Sequence, residues 1–181
     1  MAVLSILVFF AITFCLGYSI TRFVKESDNF IERVLMRMGI GFGTFIVLGL
    51  LLNVARIPLD WGVFLAISVI PALIFAFINR KRMKFSLSFK LTKTNIAILT
   101  MLVIFFATFY MYHKGAFSYP WLEDDDPWAH ATGVKYVSVE KTLFTTHRIK
   151  YIDPYPPSYD MVLGVLHQTN DSIYWTLKFF N

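Results

Sequence analysis

An all-α protein, a multispan transmembrane helical bundle with one extracytoplasmic loop, is the fold class this sequence predicts. Three observations predict it. Apolar residues make up 56% of the chain and charged residues 16%, where a soluble domain carries roughly 25% charged residues. The apolar residues gather into four runs, each close to the ~20 residues that a membrane span needs. Lys and Arg are shared unevenly among the segments between those runs, as they are when loops are sorted to two sides of a membrane.

The first run is residues 1–21. It has neither a basic leader nor a small-x-small cleavage site, so it reads as a span rather than a cleaved signal peptide. The second span covers about 34–55 and contains Gly39, Gly41, Gly43 and Gly49. No strand signal precedes these glycines, which excludes a nucleotide loop. Gly39 and Gly43 stand four apart and are expected to open one helix face to close packing. Arg56 to Asp60 form a short polar turn. The third span is 61–79, with Pro71 inside it, where a proline removes one backbone bond and is expected to kink the helix. The fourth span is about 95–113. Cys15 lies in an apolar run with no second cysteine in the chain, and reads as a small core or lipid-facing residue.

The basic residues orient the bundle. Arg22, Lys25, Arg33 and Arg37 lie around the first connection; Arg80, Lys81, Arg82, Lys84, Lys90 and Lys93 lie in the third; Arg56 stands alone in the second. Short basic loops stay in the cytoplasm. The N-terminus and residues 114–181 are therefore expected outside a plasma membrane, with 1–113 as a four-helix transmembrane region. The basic residues are not interleaved into a face that would bind nucleic acid, so the expected non-protein partner is membrane lipid.

The external loop, 114–162, holds the densest charge. Glu123, Asp124, Asp125 and Asp126 are four of the chain's twelve acids, and Pro127, Trp128 and His130 follow at once. Asp favours the N-cap and Pro the first helical position, so a helix is expected from Pro127 to about Glu140 with Asp126 as its cap. His130 then lies one turn in, on the side of Asp126. A carboxylate and an imidazole at a helix mouth can hold a metal or move a proton. Trp128, Ala131, Val134 and Val137 give this helix an apolar face for the membrane surface or the bundle, and Gly133 weakens it. The Pro-rich segment around Asp153 to Pro157 forbids regular helix, and from about Tyr159 the pattern turns helical again. A further helical segment, 163–181, ends in an apolar run too short to span a bilayer, which predicts that the chain is the N-terminal part of a longer protein.

Two elements in this order, Asp126-Pro127-Trp128-Ala129-His130 and Asp153-Pro154-Tyr155-Pro156-Pro157-Ser158, resemble the first external loop of C-type membrane glycosyltransferases. The likeness is closest to oligosaccharyltransferase catalytic subunits and their archaeal and bacterial relatives. It covers roughly residues 118–165, with Ser158 where those proteins usually carry Gly, and with four spans before the loop where they usually have one. The resemblance implies transfer of a sugar from a polyprenyl-phosphate-linked donor at the outer face of the membrane. It implies Asp126 and His130 as catalytic residues and Asp126, Asp124 and Asp153 as ligands of Mg²⁺ or Mn²⁺, which prefer oxygen. Arg148 and Tyr155 are the expected substrate-binding residues, with Lys150 beside them. The family's later acidic motif is absent from these residues. The alternative from another class is a non-catalytic membrane subunit or scaffold whose acidic loop binds a partner or a cation.

Overall fold

The computed structural model describes residues 2–25, 27–80, 92–122, 125–144 and 157–180, and among them the chain is all helical. The elements are α1 (Ala2–Thr21), α2 (Phe30–Val54), α3 (Trp61–Asn79), α4 (Lys93–Ser118), α5 (Asp125–Glu140), α6 (Pro157–His167) and α7 (Ile173–Phe180). Helices α1 to α4 are long and apolar enough to cross a membrane. Their boundaries are set by caps rather than by hydropathy. Asn29 caps α2 by accepting from Ile31 N–H at 3.0 Å, so α2 starts four residues before its apolar run. Asp60 caps α3 through Gly62 N–H at 2.8 Å, and Thr92 caps α4 through Asn95 N–H at 3.2 Å. α4 continues past His113 and Lys114 until Tyr119, whose extended backbone suits a residue preceding proline. α3 is assigned as helix through Pro71.

The α1–α2 pair is joined through backbone. A Cβ placed on Gly17 would stand 2.6 Å from the carbonyl carbon of Arg37, and one on Gly41 would stand 2.7 Å from that of Thr13. The expected pair, Gly39 and Gly43, is not the contact: a Cβ added to either would meet nothing within 4 Å. Three alternate glycines offer two opposite helix faces, and bulk decides between them. Gly41, Phe45, Gly49 and Leu52 form the buried row of α2, which spacing of three and four residues places on one face.

That row meets Val8, Ile12 and Leu16 of α1, Leu59, and Phe64 of α3, with the Phe45 and Phe64 rings 4.9 Å apart at 70°. The same core takes in Val137 of α5 and Met161, Val162, Val165 and Leu166 of α6. The thioether of Met161 fills the notch left by Gly49. α5 and α6 lie side by side and run the same way, since His130 and Gly133 meet Asp160 while Val137 meets Gly164. Ala131, Val134 and Val137 are buried as the α5 pattern requires, while Trp128 stays at the rim.

Two polar clusters tie the segments after α4 to the bundle. In the first, the Asn53 carboxamide oxygen accepts from Thr142 Oγ1 at 2.9 Å and from Leu143 N–H at 2.8 Å. Lys141 Nζ pairs with Asp60 at 2.5 Å, Leu59 N–H donates to Lys141 O at 2.7 Å, and Arg56 lies over the Phe144 ring. In the second, Ser5 Oγ lies 2.7 Å from Thr169 Oγ1, Asn170 Nδ2 donates to Ser5 Oγ at 2.8 Å, and Thr176 Oγ1 donates to Asn170 Oδ1 at 3.1 Å. His167 joins through Thr176, and burial lowers its basicity. The α2–α3 turn, the end of α5 and the turn after α6 thus share one end of the bundle. At the other end the Asn29 carboxamide donates to Asn95, and Arg22 and Arg37 lie over the Tyr18 ring. Lys81 to Lys90 lie outside the described residues.

Candidate functional site

α5 begins at Asp125, two residues before the expected start, so Asp126 lies within the first turn instead of capping it. The reason is that the first N–H groups of a helix need no intrahelical acceptor, so proline is tolerated throughout the first turn and does not mark its first residue. Asp125 and Asp126 still occupy the positive end of the helix dipole. Four residues on, the turn brings His130 to the same side. Both side chains line one cavity of about 570 Å³.

The other walls come from three helices. α4 supplies Met111, Tyr112, Gly115 and Ala116; α6 supplies Tyr159; α7 supplies Leu177 and Lys178; Trp121 and Leu122 complete it. Lys178 Nζ donates to the Tyr119 carbonyl, which holds its cation at the rim. The Tyr159 ring stands edge-on to His130, centroids 4.6 Å apart. Burial and the neighbouring Asp160 charge push the Tyr159 phenol up to about 12, so it is a neutral donor across the physiological range.

Asp160 lies behind His130. It is 1% exposed, and its Oδ1 is 2.8 Å from His130 Nδ1. Burial raises the affinity of its carboxyl for a proton, and the hydrogen bond and charge of His130 lower it. Gly133 makes room for it: a Cβ there would stand 2.7 Å from the Asp160 carboxyl carbon, with Oδ2 closer still. Gly133 is therefore a point of contact between α5 and α6 as well as a weak helix former.

Tyr159 is also a wall of a second, mostly apolar cavity of about 290 Å³, formed with Phe9, Phe42, Ile46, Val162, Leu163 and Phe180, and with Ser158 as its one other polar residue. Phe42 stands about twelve residues short of the end of α2, roughly 18 Å along the helix. The apolar cavity therefore reaches toward the middle of the span, since the hydrocarbon core is ~30 Å thick. Tyr159 is a wall of both cavities.

Of the residues singled out in the sequence, the structure brings Asp126 and His130 together. Asp124, Asp153, Arg148, Lys150 and Tyr155 lie outside the described residues. Among the described residues no three His, Cys, Asp or Glu side chains converge as metal ligands. Three residues in or behind the pocket escaped the sequence reading: Tyr159, Asp160 and Lys178. Asp160 had one legible signal, since an acid directly before six uncharged, mostly apolar residues, Met161 to Leu166, sits on a helix buried along that length and needs a partner. Compared with protein-family models, curated protein sequences and solved structures, the chain finds no match.

Proposed function

We propose that this chain acts in an integral-membrane glycosyltransferase that moves a sugar from a polyprenyl-phosphate-linked donor at the outer face of the membrane. The observation that supports this most is that two cavities of unlike lining share Tyr159 as a wall. One has Asp126, His130 and Lys178 in its walls; the other is mostly apolar and lies at the depth of the spans. A ligand that fills both has a charged head and a hydrocarbon tail, which describes a lipid phosphate. Lys178 lies where it can meet the phosphate charge, as a compact cation does. Asp126 supplies a carboxylate that can take a proton from the acceptor; were Mg²⁺ or Mn²⁺ bound, Asp126 would be one of its ligands and the ion would supply positive charge to neutralise a departing phosphate. The oxygen ligand of Asp126 suits either ion, and Asp124 and Asp153 are the residues that would join it.

The test is Asp126→Asn in the membrane-embedded protein, assayed for sugar transfer from a polyprenyl-phosphate donor. The change keeps shape and removes charge. Transfer is expected to fall by on the order of 10²-fold or more, with folding and insertion unchanged. Near-normal transfer by that variant would refute the catalytic role of Asp126, and absence of transfer by the wild type would refute the sugar-transfer reading and leave the pocket the binding surface of a scaffold.

A further inference from the structure

A carboxylate withdrawn from water is expensive unless it is paired, and Asp160 is 1% exposed. Its two oxygens are separately accommodated. Oδ1 is 2.8 Å from the ring nitrogen Nδ1, and Oδ2 lies against the backbone of α5 where Gly133 carries no side chain. The Tyr159 ring also packs against the imidazole, centroids 4.6 Å apart and planes at 67°. The ring is thus held by two residues of α6, and it forms part of the pocket wall.

A carboxylate facing Nδ1 makes that nitrogen the protonated one, and so makes Nε2 the basic atom of a neutral imidazole. We propose that His130 is the proton acceptor of this pocket, that Asp160 is its positioning residue, and that the group served is a hydroxyl. The use made of the proton rests on the sugar-transfer reading. As the acceptor oxygen bonds to the anomeric carbon, the bond from that carbon to the phosphate oxygen breaks. The electron pair leaves with the phosphate, and the hydroxyl proton passes to Nε2. A single imidazole nitrogen suffices for a hydroxyl, which has one proton to give. Asp126, one turn earlier on α5, is then left to the donor phosphate and its cation.

The experiment is nitrogen NMR of the ¹⁵N-histidine-labelled protein in lipid nanodiscs, with the His130 signals assigned by their loss in His130→Gln. At a pH where the ring is neutral, it is expected in the Nδ1–H form. Asp160→Asn retains the shape but offers an amide N–H as well as an oxygen to Nδ1. It is expected to cut the Nδ1–H share to half or less while the melting midpoint stays close to that of the wild type. In the transfer assay with a hydroxyl-bearing acceptor, the same variant is expected to lower kcat by on the order of 10²-fold with KM little changed. A wild-type ring in the Nε2–H form overturns the proposal, as does an Asp160→Asn protein that folds and keeps the wild-type tautomer. Should Asp160→Asn fail to fold, the wild-type tautomer decides alone. The sugar-transfer reading fails separately, through a wild-type protein that transfers no sugar from a polyprenyl-phosphate donor, whichever tautomer His130 adopts.

Discussion

Adding one methyl group at Gly133 sets α5 against the Asp160 carboxylate. In Gly133→Ala the new Cβ would stand 2.7 Å from Cγ of Asp160, where ordinary contact begins at 3.4 Å. The carboxylate must therefore retreat by at least roughly 0.7 Å, because repulsion inside that distance is steep. Its bond to His130 starts at 2.8 Å, so a retreat of that size stretches it to the limit of a hydrogen bond. Overpacking of this kind costs about 1–3 kcal/mol. Losing a hydrogen bond to a charged group adds about 1.5–3 kcal/mol. The better helix propensity of Ala returns about 1 kcal/mol. The net expectation is a loss of roughly 2–5 kcal/mol. Unfolding by SDS, followed by tryptophan fluorescence in mixed micelles, measures it. Gly43→Ala is the control, since nothing stands within 4 Å of its Cβ position, and it is expected to be neutral or stabilising by up to about 1 kcal/mol. If Gly133→Ala were as stable as the wild type and kept the His130 tautomer, the account of how the two helices are fitted together would be wrong.

Gly41→Ala is expected to destabilise far more than Gly39→Ala in the same assay, because the first meets the backbone of Thr13 and the second meets nothing within 4 Å. The Lys141 hydrogen bond holds the Asp60 carboxyl below its ordinary range. That contribution is present above the unfolded value near pH 4 and is lost as pH falls through the lowered folded value. The wild type is expected to lose more stability than Asp60→Asn between pH 6 and pH 3. Melting curves should resolve a difference of about 1 kcal/mol at most, since both partners are partly exposed. In a background lacking Cys15, Ser118→Cys is expected to react with an impermeant thiol reagent from outside intact cells and Ser27→Cys is not; the reverse pattern would invert the orientation read from the basic residues.

The spans were legible because each is a solid apolar run, and hydropathy reports such runs directly. Their ends were less so. Asn29 and Thr92 extend α2 and α4 by local caps that hydropathy does not register, and α4 outlasts His113 and Lys114 because nothing breaks it before Pro120. Asp126 and His130 were legible as a pair because four residues is one helical turn, a relation internal to α5. Asp160 and Lys178 were not, because their places depend on how separate helices pack. Nothing in the spacing of His130 and Asp160 signals that they meet. The glycines of α2 show the same limit. Sequence can say that a glycine face exists at 39, 41 and 43; which one a neighbour uses is settled by Phe45, Gly49 and Leu52 further along the helix.

The Ser5 cluster sets a timetable. Ser5 belongs to α1, yet Leu166, Thr169 and Asn170, its partners, lie 161 to 165 residues later. At ~5–20 residues per second, synthesis takes roughly 10–30 s to reach them. Through that interval the hydroxyl of Ser5 has only its own helix's carbonyls to lean on, as serine in an apolar helix commonly does. The packed form of α1 thus awaits the turn after α6. A nascent chain halted before Leu166 would have α1 made with its polar partners still unmade, so this part of the bundle closes α1 onto the turn after α6.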